Sequence, residues 1–351
     1  MKINQFYING NFVDPVGQEK IDLINPATEE KVGHVVTGVE QDVDAAVSAA
    51  KDAFNQVSLL TIEQKKVILQ EIIDGMQARK EEFAQVISEE MGAPIKVARS
   101  AQFGSGLIHF INTLKVIDDF NFSEVHDNIT INKLPIGPVG MITPWNWPLN
   151  QMCTKVASAI AAGTTFVLKP SEITPGAAHL FAEVVHETSM PKGMFNLIHG
   201  HGAVVGKAMS KHADLEMISF TGSTRAGIDI QKTAADNIKR VSLELGGKSP
   251  NLILDDVDLE KAVSMGMKQC FFNTGQSCSS PTRMLIPENM LEEATKHAVV
   301  AAESMTTGDP SHEEIFLGPI SNRVQFEKVQ DLIQKGIDEG ATLACGGLGR
   351  P

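Results

Sequence analysis

From Gly137 to Glu172 the chain reads GPVGMITPWNWPLNQMCTKVASAIAAGTTFVLKPSE, and the changes of period within this stretch decide the architecture. Two short apolar runs, VGMIT from Val139 and TTFVL from Thr164, are separated by a connection of helix length. Three more runs follow at similar spacing: MFNLIHG from Met194, EMISFTG from Glu216 and RVSLEL from Arg240. Short apolar strands alternating with helical connections predict an α/β fold with a doubly wound parallel sheet. Ligands of such sheets bind beyond the carboxyl ends of the strands. The segments to watch are therefore Thr143–Trp147, Lys169–Glu172, Gly200–Gly206, Thr221–Gly227 and Glu244–Gly247.

Upstream, Leu69, Ile72, Ile73, Met76, Phe83, Val86 and Ile87 recur at three- and four-residue steps, which predicts one amphipathic helix from about Thr61 to Met91, closed by Gly92 and Pro94. Between Asn121 and Pro135 the pattern becomes polar and alternating, as in an exposed strand or hairpin arm. Downstream, SPNLILDD after Lys248 opens a second strand–helix series. The expected organisation is a nucleotide-binding domain over 1–120 and 137–247, an arm over 121–136 and a second domain over 248–351.

With 351 residues, 42% hydrophobic and 21% charged, the chain has room for about two domains and a buried core. Its 30 Lys+Arg against 43 Asp+Glu leave a net charge of −13, which argues against a general nucleic-acid binder or a protein drawn to anionic membranes. The four cysteines lack CxxC spacing, and the ten histidines show neither HxxxH nor HExxH, so no disulfide framework and no metal site is assigned. The opening MKINQFYINGNF has no signal-peptide core, and the apolar run Val156–Leu168 is too short to span a bilayer. A soluble cytoplasmic protein is expected.

Several residues carry chemistry. Cys278 sits in TGQSCSS, where small neighbours permit close approach of a substrate, and a thiolate is the strongest side-chain nucleophile near neutral pH. Taken alone it reads first as an inert buried cysteine. Glu244, in LELGGKSP, ends a strand beside a Gly pair and could serve as a general base or be a solvated surface acid. TPWNWPLN gathers both tryptophans and two prolines around Asn146, either a packing corner or a rigid turn presenting an amide to an oxyanion. Lys169 and Glu172 in KPSE offer a cation and a carboxylate one turn apart, suited to ribose hydroxyls, although Pro-Ser-Glu is also an ordinary helix start. GSTRAG (Gly222–Gly227) could meet a pyrophosphate at a helix N-terminus, and GHGAVVG (Gly200–Gly206) is a second glycine loop; neither is a GxGxxG.

The set as a whole resembles the NAD(P)-dependent aldehyde dehydrogenase superfamily. The resemblance runs from Phe6 to the C-terminus through YING at Tyr7, NPATEE at Asn25, EEMGAP near Glu90, PWNWP, KPSE, FTGST, ELGGKSP, GQSC, GDP at Gly308 and LGPI at Leu317. It implies a Rossmann-like doubly wound cofactor domain, an α/β catalytic domain and a small β-arm used in oligomerisation. It further implies that Cys278 is the nucleophile, Glu244 the general base and Asn146 the oxyanion-hole amide. Lys169 and Glu172 would hold the adenosine ribose, Gly222 and Ser223 would face the pyrophosphate with Gly202 in the same cofactor set, and Trp145 would line the passage near the nicotinamide. The implied cofactor is NAD, with NADP as the alternative. The implied partners are a small-molecule aldehyde and further copies in a homodimer or homotetramer, without nucleic acid or membrane. Two other readings stay open: a relative that passes the acyl group to coenzyme A, against which the presence of Glu244 speaks, and a non-catalytic nucleotide-binding or structural relative.

The chain departs from the family pattern at Trp147, where many relatives carry Phe, and at Ser277 before the nucleophile. The family also continues past the position of Pro351 with a downstream Glu-x-Phe-Gly-Pro segment. EIFLGP (Glu314–Pro319) is not that segment, because Leu317 is inserted and it lies too soon after Cys278. The catalytic domain is accordingly expected to be C-terminally incomplete, with part of its core and its sheet edges open.

Overall fold

All five apolar runs form strands, and the computed structural model, which describes residues 1–350, pairs them in a single sheet. Its strands are β1 (Phe6–Ile8), β2 (Asn11–Val13), β3 (Val139–Ile142), β4 (Phe166–Lys169), β5 (Phe195–Leu197), β6 (Met217–Gly222) and β7 (Arg240–Leu245). They lie in the order β7-β6-β3-β4-β5-β1-β2, parallel from β7 through β5 and antiparallel where β1 and β2 are added. From β3 the chain builds outward through β4 and β5, then returns to lay β6 and β7 on the opposite side. That reversal is a topological switch point, and it puts a crevice beyond the carboxyl ends of β3 and β6.

The strands read as they do because of where they lie. β3, β4 and β5 are buried along their whole length, so their runs are continuously apolar. β7 is the edge, and its residues alternate between exposed and half-buried. Against one face packs the helix Glu40–Val57, whose Val43, Ala46 and Val47 join Val167, Ile198, Ile218 and Phe220 in one core cluster. Full burial of side chains this size stabilises by about 1.5–3 kcal/mol each.

One element differs from its expectation. The helix read from Thr61 to Met91 is two helices, Ile62–Ala78 and Lys80–Met91, separated at Arg79. Arg79 adopts φ −109°, ψ 19°, and its N–H bonds back to Met76 O instead of continuing the α-helical ladder. The buried stripe Ile72, Ile73, Met76, Phe83, Ile87 runs on across the break, so periodicity does not register it. Residues before Glu40 hold β1, β2 and three further short strands, of which Lys2–Ile3, Lys31–Val36 and Lys20–Ile24 form a separate sheet. The polar alternating stretch forms an antiparallel hairpin, Ser123–His126 with Ile129–Asn132, turning at Asp127 with φ 52°.

The chain divides into two compact units, one of residues 1–23, 31–87 and 98–245, the other of 24–30, 88–97 and 246–351. The short segments 24–30 and 88–97 thus group with the second unit, although the sequence places them in the first domain. The reason is local: Ile95 N–H donates to Pro310 O (2.7 Å), and a Cβ on Gly92 would lie 2.6 Å from Pro319 and 2.9 Å from Pro26. Gly92 is also left-handed, at φ 80°, so the EEMGAP and LGPI motifs interlock through a position only glycine fills without strain. Within this unit β8 (Pro250–Leu252) runs parallel to β9 (Arg283–Leu285), and Leu252 and Leu285 are exposed. Among the described residues no helix is long and apolar enough to cross a membrane.

Candidate active site

Strand β3 ends in a turn that the sequence makes rigid. Pro148 occupies the first position of the helix Pro148–Ala162, and the half-buried residues Trp145, Asn146 and Trp147 precede it. The Asn146 side-chain oxygen accepts from Trp147 N–H (3.1 Å), its backbone carbonyl accepts from Gln102 Nε2 (3.0 Å), and Trp145 O accepts from Thr174 Oγ1 (3.2 Å). The other end of the amide, Nδ2, is its donor. Gln102 is fully buried on the π-helical turn Ala98–Gln102. No periodicity in ARSAQ announces that turn, and sequence reading misses Gln102.

At the end of β4, Lys169 is buried and donates to Glu172 Oε2 at 2.8 Å. Burial works to raise the Glu172 carboxyl, but the Lys169 ammonium and its hydrogen bond hold it below the usual carboxylate range. KPSE is not the start of a helix here; the helix begins at Gly176, and Glu172 sits in the preceding turn. At the end of β6, a Cβ on Gly222 would lie 2.5 Å from the Phe220 ring, so a larger residue would have to displace that ring. Ser223 caps the helix Thr224–Ala235, its Oγ accepting from Ala226 N–H (3.3 Å). Its hydroxyl proton remains able to donate, and the first N–H groups of the exposed helix start lack intrahelical acceptors. Gly202 is exposed at the start of the π-helical turn Gly202–Gly206, with open space where a Cβ would stand.

These residues fit NAD. An ammonium donor beside an acceptor-only carboxylate matches a vicinal ribose diol, and an N-capped helix start with a glycine before it matches a pyrophosphate. Lys169 and Gly222 close parallel strands of one sheet, and Glu172, Gly202 and Ser223 follow them, as the strand-end rule predicts.

Glu244 lies on the edge strand β7 opposite Thr221 of β6 and is exposed, not set against an apolar wall. Its electrostatic neighbour is Lys155, which reaches from the helix Pro148–Ala162 to donate to Ser219 Oγ at 2.8 Å. Burial pushes the Lys155 ammonium down to about 8, and Glu244 pulls it back up. A helix-face lysine with no motif around it gives no sequence signal for this placement.

In the second unit Cys278 is half-buried in a turn after the 3₁₀ segment Phe272–Gly275. Asn273, Thr274 and Gly275 all adopt left-handed φ (57°, 57° and 68°), which costs about 1–2 kcal/mol for each non-glycine residue. Surrounding bonds impose it. Asn273 is fully buried and donates to Gln276 O (3.4 Å), Thr274 Oγ1 donates to Gly318 O (3.4 Å), and Gln276 Oε1 accepts from Ser321 N–H (3.0 Å). The LGPI motif therefore clamps the GQSC turn. Two of the other thiols are poorer nucleophiles by position: burial pushes Cys153 far up and Cys270 up, the latter partly countered by Lys248.

The aldehyde dehydrogenase family model matches residues 12–351. The chain belongs to the aldehyde dehydrogenase family. This aldehyde dehydrogenase is 46% identical over 348 residues to 3-succinoylsemialdehyde-pyridine dehydrogenase of Pseudomonas sp., a match covering 99% of this chain and 73% of that protein. It is similar, with a TM-score of 0.98 and 47% identity, to a cysteine-to-alanine variant of aldehyde dehydrogenase C from Pseudomonas syringae crystallised with NAD+ and octanal, covering 99% of this chain and 72% of that one. An aldehyde dehydrogenase from Bartonella henselae matches with a TM-score of 0.97 and 45% identity, over 100% of this chain and 74% of that one. The α/β architecture of this aldehyde dehydrogenase is that of the family, and its activity is oxidation of an aldehyde with NAD.

Proposed function

We propose that Cys278, Asn146 and Glu244 are the nucleophile, oxyanion donor and general base of this activity, and that the acyl group is released to water. The observation that carries the reading is the clamped left-handed turn at Asn273–Gly275: a strained backbone held by side-chain bonds is found where a reactive side chain must be aimed. The Cys278 thiolate attacks the aldehyde carbon and forms a thiohemiacetal. Asn146 Nδ2 and the Cys278 backbone N–H donate to the developing oxyanion, each donor contributing about 3–4 kcal/mol in a preorganised site. Lys169, Glu172, Gly202, Gly222 and Ser223 would hold the coenzyme, with Trp145 lining the passage near the nicotinamide, and when bound it would supply the hydride acceptor. Loss of hydride leaves a thioester on Cys278. Glu244 then takes a proton from water as the water attacks, and the carboxylic acid leaves with regeneration of the thiol.

The substrate is a small aldehyde, the enzyme works in the cytoplasm, and the hairpin Ser123–Asn132, with Val125 and Ile129 exposed, pairs copies into a homodimer or homotetramer. The direct test follows NADH and product together while a panel containing octanal and aromatic semialdehydes is offered with NAD. NADH and free acid are expected in equal amounts; acyl-CoA in place of free acid when coenzyme A is present would replace hydrolysis by acyl transfer. Asn146→Ala is expected to lower kcat about 10²–10³-fold while leaving the affinity for NAD within about two-fold, as removal of one oxyanion donor does elsewhere. Isothermal titration of NAD separates this loss from a binding defect.

A further inference from the structure

His201 stands between two carboxylates at the coenzyme end of the sheet. Its Nε2 is 3.4 Å from Glu19 Oε1 and its Nδ1 is 3.9 Å from Glu172 Oε1, the carboxylate oxygen that Lys169 does not hold. A carboxylate only accepts, so both contacts are attractive when each ring nitrogen carries a proton. The adjoining His199 is fully buried, and burial holds it well below the usual imidazole range, so it supplies no charge here.

The two loops that carry this contact are tied together by two backbone bonds that do not depend on it and one side-chain bond to Glu19. Thr37 N–H donates to Glu19 O (2.8 Å), Thr37 Oγ1 to Glu19 Oε2 (3.4 Å), and Gly38 N–H to His199 O (2.8 Å). Gly200, at φ 148°, leaves only 3.1 Å between its would-be Cβ and Gly38 N. Glu19 and His201 are thus presented to one another by main chain, and Glu172 is gripped by Lys169 on one oxygen and faced by His201 on the other.

We propose that His201, anchored by Glu19, is a positioning residue that keeps Glu172 turned to accept from the ribose 2′-hydroxyl, and so helps this enzyme prefer NAD to NADP. This rests on the reading of Lys169 and Glu172 as the ribose site. A Glu172 free to rotate would remove its charge from the path of a 2′-phosphate; held by Lys169 at one oxygen and faced by His201 at the other, it repels one. His201 thereby acts on coenzyme choice without taking part in hydride transfer.

The test is equilibrium binding, which needs no turnover. Dissociation constants for NAD, NADP, 5′-AMP and adenosine 2′,5′-bisphosphate are measured by titration calorimetry on the unaltered protein and on H201F, H201N, E19A and E172Q. H201F and E19A are expected to narrow the NAD-over-NADP preference about five-fold, the scale of one immobilised side chain, with the same narrowing between the two adenosine phosphates. H201N, whose amide nitrogen takes the place of Nδ1, is expected to recover most of the preference, which a ring serving only as packing would not allow. E172Q is expected to narrow it further than either. If E172Q narrows the preference while H201F and E19A leave it unchanged, the positioning role is overturned and the ribose reading stands. If H201F weakens NADP more than NAD, His201 is a cation for the phosphate and the proposal fails. If E172Q leaves the preference unchanged, the ribose reading falls and the proposal with it.

Discussion

Cys278→Ala is expected to abolish NAD-linked aldehyde oxidation, lowering kcat/KM by about 10⁴-fold or more, the scale seen when a covalent nucleophile is removed from a working constellation. The size follows from chemistry: without the thiol no thiohemiacetal forms, and an aldehyde carbon gives up hydride poorly until a nucleophile has added to it. The substitution is sterically mild, since the residue is half-buried and the clamp around it is made by Asn273, Thr274 and Gln276. NAD affinity is expected to stay within about two-fold, because the residues proposed to hold NAD lie at or just after strand ends of the large sheet. Cys270→Ala is the matching control and should leave activity within about three-fold, as a half-buried thiol with no part in the chemistry would. Steady-state NADH formation for the two variants decides the matter; activity surviving in Cys278→Ala assigns the chemistry elsewhere.

Glu244→Gln is expected to separate the two halves of the reaction. The amide keeps the shape of the carboxylate but cannot take a proton from water, so hydride loss proceeds and thioester hydrolysis stalls. Rapid mixing should show a burst approaching one NADH per chain, followed by a steady rate lower by about 10²–10⁴-fold, the range general-base catalysis contributes. Acid quenching within the burst should trap the acyl group on Cys278, readable as a mass increase. Because Glu244 is exposed on the edge strand, the exchange should change stability by less than about 0.5 kcal/mol, so a lost burst cannot be ascribed to unfolding. Absence of a burst with an equally slow steady rate would move Glu244 from deacylation to an earlier step. Undiminished acyl transfer to coenzyme A in this variant would favour the acylating alternative.

Both predictions concern residues that stand out in the sequence, and it matters why others do not. The five parallel strands are legible because a buried parallel strand is apolar on both faces and short, and VGMIT, FVLK and FNL have no other reading between helix-length connections. Lys169, Glu172, Gly222 and Ser223 are legible for the same reason, since strand ends are where such sheets bind ligands. The break at Arg79 is not, because the apolar stripe keeps its period across it. Gln102, Lys155 and His201 are not either: each acts through a partner distant in sequence, Asn146 O, Ser219 Oγ and the Glu19 and Glu172 carboxylates, and no local spacing encodes such a pairing.

The sequence by itself determined the fold class, the order of motifs and the residue types that can carry the chemistry, because these depend on period, turn residues and side-chain chemistry along the chain. Only the tertiary structure decided that 24–30 and 88–97 group with the second unit, that LGPI clamps the turn before Cys278, and that a histidine stands between Glu19 and Glu172. Those outcomes rest on contacts between residues separated by many tens to hundreds of positions. Such contacts are selected by packing and by hydrogen-bond satisfaction in three dimensions, which a one-dimensional pattern does not record.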